Sequence, residues 1–230
     1  KQFKYVYGDV TRVKQLEMSA ANFARLQKLL PGVLVHLSEQ QVKLLDFSVN
    51  GPIKQANMRV MANLQENDLT KRAQIIRWMT PAQIIDALNN GLFDVDTAAF
   101  VTKSQLLGVD MSTIDWKTAG ESPVVNTLLS GRMDALITKR EDLECLMPYF
   151  SLNNLVALNE KQISFIDFTH PNLVKKHMFT AMAGSDCAGT AQPGQMMRWM
   201  SRDQIVAALA NGLFDDMTSS YIPIAILRLI

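Results

Sequence analysis

Apolar and polar positions divide this chain into short helical runs, and the longest run occurs twice. Residues Gln74 to Asp94 read QIIRWMTPAQIIDALNNGLFD, and Gln195 to Asp215 read QMMRWMSRDQIVAALANGLFD. The register holds without a gap from Leu34/Leu155 to Val101/Ile222, with about a third of the positions identical. Self-similarity of this kind reads as an internal duplication. No stretch sustains strand-like alternation. The pattern predicts an all-α fold made of two tandem related modules of short capped helices.

The helix starts share a signature. An apolar residue precedes Ser, Thr or Asn, a Gln, Glu or Asn follows three positions later, and the next residue is usually apolar. Leu37-Ser38 with Gln41-Val42, Met79-Thr80 with Gln83-Ile84 and Val101-Thr102 with Gln105-Leu106 fit it. So do Leu158-Asn159 with Gln162-Ile163 and Met200-Ser201 with Gln204-Ile205. In such a capping box the cap oxygen accepts from an orphan N–H of the first turn. The Gln side chain returns a bond to the cap's own N–H, and the apolar pair staples the approach. Looser versions stand at Ser19 with Asn22, Ser112 with Asp115 and Thr138 with Glu141.

Stops are marked as well. Asn90-Gly91-Leu92 and Asn211-Gly212-Leu213 place Gly just past an apolar run, where a left-handed residue closes a helix. Pro81 suits a first helical position. Pro52 and Pro171 are expected to open helices over Ile53–Asn63 and Asn172–Gly184, with loops at Leu64–Arg72 and Ser185–Gly194. The expected organisation is an N-terminal arm over 1–12, a first helical module over 13–132, and a second over 133–230 that carries an apolar C-terminal tail.

Composition narrows the partners. A formal net charge of +1 over 230 residues supplies no bulk field for DNA, RNA or an anionic membrane. The 13 Met read first as flexible core filling and second as an adaptable docking surface. Cys145 and Cys187 have neither CxxC spacing nor a secretory signal beside them, which predicts reduced thiols. No apolar run approaches the roughly 20 residues that span a bilayer.

Candidate chemistry is sparse. His36, His170 and His177 do not recur between the copies, whereas a metal site needs three or four converging ligands. Nucleophile elbow, phosphate loop and HExxH motifs are missing from the sequence. Asp46 and Asp167 are the acids inside a repeated Asp-Phe motif, and they read as caps of the next segment rather than an acid–base pair. The sequence therefore predicts no catalytic residues, no cofactor, no metal and no enzyme activity.

Two features point to protein contacts. Arg77-Trp78-Met79 and Arg198-Trp199-Met200 recur, and their first reading is a core Trp with Arg lying over the ring. Their second is an interface hot spot. Residues Ile222 to Ile230 (IPIAILRLI) either bury on their own core or dock into a partner, and their β-branched content also suits an added strand. The interface candidates are Ile224, Ile226, Leu227, Leu229, Ile230, Trp78 and Trp199.

Thr80-Pro81-Ala82-Gln83-Ile84-Ile85 resembles the opening of a TAL-effector repeat, although the repeat period here is far longer and no variable base-reading pair follows. As a whole, in size and helical layout, the chain is similar to small DotY-like accessory subunits of the Dot/Icm type IV secretion coupling complex. That resemblance implies a non-enzymatic bacterial protein, cytoplasmic, held by partner subunits at the inner face of the inner membrane and active in effector recruitment. The expected function is an adaptor or scaffold subunit of a multiprotein complex. The alternative is a nucleic-acid-binding helical repeat, suggested by Lys71-Arg72 and Lys175-Lys176-His177, and near-neutral charge counts against it.

Overall fold

Each of the five Ser/Thr/Asn-x-x-Gln sites starts a helix, and the helices are too short to be stable without packing. In the computed structural model the described residues are 31–51, 53–63, 65–67, 72–107, 109–119, 122–170, 173–184 and 194–228. Among them are helices and no strand. The expected N-terminal arm, the Ser19 cap, Pro52, Pro171, Cys187, Leu229, Ile230 and most of the two loops lie outside the described residues. Contacts gather into two compact units, Lys1–Leu128 and Leu129–Ile230.

In the first unit a 3-10 turn, Pro31–His36, leads into α1 (Glu39–Val42), α2 (Gln55–Ala62), α3 (Gln74–Arg77) and α4 (Pro81–Asn89). Then come α5 (Val95–Ala98), α6 (Lys103–Leu106), a 3-10 turn at Met111–Thr113, α7 (Trp116–Ala119) and α8 (Ser122–Leu129), which reaches the division. The second unit holds α9 (Met133–Leu136), α10 (Arg140–Leu146), a 3-10 turn at Met147–Tyr149, α11 (Leu152–Val156) and α12 (Glu160–Ser164). It continues with α13 (Lys176–Met182), α14 (Gln195–Trp199), α15 (Arg202–Ala210), α16 (Asp216–Ser220) and α17 (Ile224–Leu227).

The capping glutamines do more than cap. Gln83 accepts from the Thr80 N–H through Oε1 at 3.0 Å, and its Nε2 donates to the carbonyls of Val42 and Leu45, each at 2.9 Å. Gln105 repeats this on the carbonyls of Ile76 and Met79, and Gln204 on those of Ile163 and Ile166. Gln162 donates to Met133. One amide thus caps the N–H at a new helix start and also bonds the carbonyls of an earlier helix segment.

Positions paired by the sequence register make matched bonds in the two units. The Asn90 and Asn211 amides donate to the Phe47 and Phe168 carbonyls. Ala73 N–H bonds Ala62, and Gly194 N–H bonds Ala183, both at 2.8 Å. Helices α4 and α15 end the same way, with Leu92 N–H on Ala87 and Leu213 N–H on Ala208 around left-handed Gly91 and Gly212. The buried side chains also correspond. Phe47, Met58 and Ile84 in the first unit pair in sequence register with Phe168, Phe179 and Ile205 in the second, buried Phe93 pairs with half-buried Phe214, and the second unit's three rings meet edge to face.

Local expectations are corrected at several starts. Helices α2 and α13 begin later than predicted, behind Lys54 and Lys175. The cap expected at Thr138 with Glu141 is instead Lys139 with Asp142, whose buried Oδ2 accepts from the Thr138 and Lys139 N–H groups. Asp110 caps the 3-10 turn at Met111, and Asp115, read as the third-position partner of Ser112, itself caps α7. Ser151 with Asn154 is a further box of the expected kind, and Asp94 and Asp215 with Thr97 and Thr218 are boxes outside that pattern.

Candidate interaction surfaces

The repeated tryptophans are not core residues. Met79 and Met200 take the buried staple positions, while Trp78 and Trp199, at the ends of α3 and α14, fall at the margin of the inward face and stay half-buried. Trp78 lines a groove of about 320 Å³ with His36, Met61, Glu66 and Ile75. Trp199 stands between two open grooves of about 590 and 560 Å³. Arg140, Phe165, Asp167 and Met200 line one, and Asn159, Glu160 and Lys161 line the other. The buried tryptophan is Trp116, whose Nε1 donates to the Met111 carbonyl at 2.9 Å.

The repeated aspartates each hold the turn that follows them. Oδ1 of Asp46 accepts from the Ser48 N–H, and Oδ1 of Asp167 from the Thr169 N–H, both at 2.9 Å. The Thr169 hydroxyl, then its N–H, then the Arg140 guanidinium pull the Asp167 carboxyl down to about 2. The Ser48 side chain and N–H hold Asp46 low as well. Both stay ionised at neutral pH, the opposite of what a general acid needs. Arg140 also pairs with Glu144, at 2.5 Å. His170 and His177 are exposed, and among the described residues no three His, Cys, Asp or Glu converge to hold a metal. No helix among the described residues is long and apolar enough to cross a membrane.

The tail is helical where a strand was an option. After buried Ile222, Pro223 opens the single turn α17, which buries no residue. Ile224 is 69 % exposed and Leu227 52 %. Burial on the unit's own core therefore does not hold for these two, and Ile226 is half-buried. Neither groove beside Trp199 is lined by Ile224, Ile226 or Leu227, so the candidate residues do not form one patch there.

A surface that sequence reasoning missed lies on α15. Leu88 of α4 is fully buried, and α7 packs against that helix. Leu209, at the matching position of α15, is 38 % exposed, and Val206 beside it 39 %. No known protein family matches the chain, and neither a curated protein nor a solved structure matches it.

Proposed function

We propose that this chain is a non-enzymatic adaptor or scaffold subunit of a multiprotein complex, its two units being copies of one helical module that present apolar surface to protein partners. The observation that carries the reading is the exposed apolar surface of the second unit: Val206 and Leu209 on α15, Met217 on α16, and Ile224 and Leu227 on α17. Exposed apolar area of this kind marks association sites when it is contiguous. The turn-locked, ionised aspartates favour a structural role for the repeated acids over catalysis. The Dot/Icm resemblance supplies the assembly to test first, with the chain at the cytoplasmic face of the inner membrane through its partners.

Affinity purification of the tagged chain from its native host, followed by mass spectrometry, tests this. A stoichiometric set of partner subunits is expected, and deleting residues from Pro223 onward should weaken their recovery more than it lowers the melting temperature. Recovery of the chain alone, at native expression, would refute the adaptor reading.

A further inference from the structure

The groove beside Trp78 has an apolar floor that recurs along the sequence and a polar lining that does not. Leu37, Met61 and Trp78 pair in register with Leu158, Met182 and Trp199. His36, Asn63 and Glu66, which also line it, pair with Ala157, Gly184 and Cys187. The first unit thus sets an imidazole, an amide and a carboxylate around its indole where the paired positions carry none of these groups. Among the described residues that line the groove, Glu66 is the one acid, and none is Lys or Arg.

The backbone of Glu66 is held from both sides. Its N–H donates to the Asn63 carbonyl at 2.9 Å, and its own carbonyl accepts from the Arg72 guanidinium at 3.1 and 2.7 Å. Arg72 is thereby engaged by a carbonyl, and it pairs in register with Pro193, so the second unit's sequence cannot make this clasp. Asn63, where the turn begins, sits in the left-handed region at φ 46°, and the paired Gly184 is at 79°. The first unit keeps a side chain there at a conformational cost that glycine avoids. Sequence and backbone both depart from the second unit in the way that places a carboxylate at the groove of Trp78, and such support of a contact residue is what a recognition site requires.

An indole and a carboxylate in one groove suit a flat cation. The ring attracts a guanidinium over its face, and the carboxylate accepts the guanidinium N–H groups as a charge-assisted pair. The volume, about 320 Å³, is that of a small cleft and fits one long side chain. We infer that the groove beside Trp78 receives an arginine side chain of a partner protein, with Trp78 supplying the ring and Glu66 the opposite charge. This rests on the adaptor reading and gives it a contact site in the first unit and the chemistry of the group that enters it.

The probe is a capped Gly-Arg-Gly peptide, set against the same peptide with uncharged citrulline. The full chain carries isotope-labelled tryptophan, and its three indole N–H signals are assigned with Trp78→Phe and Trp199→Phe. In the free chain a soluble relaxation agent should broaden Trp78 well beyond buried Trp116. Equal protection would show the groove filled by the chain itself and would overturn the inference. A Trp78 signal that moves with protein concentration alone would make a second copy the occupant and overturn it too. The arginine peptide should then shift Trp78 saturably, and Trp199 less. Glu66→Gln keeps the backbone bonds and should weaken that binding about threefold at an unchanged melting temperature, the scale of one exposed ion pair. Citrulline binding as well as arginine, a lysine peptide binding more tightly, or indifference to Glu66→Gln refutes the inference. Partners that co-purify equally with wild-type and Glu66→Gln chains leave the adaptor reading standing and remove this one, whereas recovery of the chain alone fails the adaptor reading whatever the peptides do.

Discussion

Replacing Gln83 by Leu removes a lock while keeping a side chain of similar size. The variant loses the Oε1 acceptor of the Thr80 N–H and both Nε2 bonds to earlier carbonyls. Val42 keeps the Leu45 N–H on its carbonyl at 3.0 Å, so the Thr80 N–H and the Leu45 carbonyl lose these partners, and the Thr80 hydroxyl loses its 3.3 Å bond to Oε1. At about 1–3 kcal/mol for each buried group left unpaired, and with some return from the apolar Leu, the expected loss is about 2–4 kcal/mol. Urea unfolding followed by far-UV circular dichroism reads this as a lower midpoint at unchanged slope. Gln83→Glu adds a sign. Its carboxylate would face two carbonyl oxygens, which raises the folded pKa above the unfolded value of about 4.3. A raised pKa gives stability that is full below about pH 4.3 and lost as pH rises through the folded value. The Glu variant should therefore be near wild type at about pH 4 and worse than Leu at about pH 8. A Leu variant within about 0.5 kcal/mol of wild type, the range of ordinary surface changes, refutes the lock. A Glu variant with a flat pH response refutes the placement of the amide.

Leu88→Ala should cost about 2–5 kcal/mol as a core truncation, whereas Leu209→Ala, on the open face, should cost less than about 1 kcal/mol; equal losses in chemical denaturation would show that α15 is covered. Ala73 holds a left-handed φ of 56° where the register-paired position of the second unit is Gly194 at 75°, so Ala73→Gly should gain about 0.5 kcal/mol, the left-handed penalty less the entropy of glycine. Gly194→Ala should destabilise, because its Cβ would stand 2.8 Å from the Tyr221 side chain; a neutral melt would contradict that packing. Asp167 titrates at about 2, below its ordinary 3.8. Its contribution is thus present above about pH 3.8 and lost as pH falls through 2, and a carboxyl midpoint near 4 by NMR would overturn the Thr169 and Arg140 contacts.

What was legible in the residues was local. Ser38, Thr80, Thr102, Asn159 and Ser201 announce helix starts because the capping box closes within four positions, and Gly91 and Gly212 announce stops for the same reason. The other end of each glutamine was hidden, since the carbonyls it reaches belong to a separate stretch of chain, as Gln83 reaches Val42. Trp78 and Trp199 were misplaced because a large ring next to a helix end has two sides to choose from, and the neighbouring Met79 and Met200 took the inner one. The tail showed its apolar character but not its shape. The open face on α15 needed the first copy as a reference, because Leu209 is unremarkable until Leu88 is seen under α7.

The long-range bonds of four capping glutamines, Gln83, Gln105, Gln162 and Gln204, run in one direction along the chain. Gln83 reaches back to Val42 and Leu45, Gln105 to Ile76 and Met79, Gln162 to Met133, and Gln204 to Ile163 and Ile166. For these four, every acceptor precedes its donor in the order of synthesis. As the chain leaves the ribosome, each new helix start therefore finds its docking carbonyls already made and can latch without waiting for residues still to come. A unit of this kind can assemble vectorially, like a ratchet, and a stalled or shortened chain would keep the latches it has already passed.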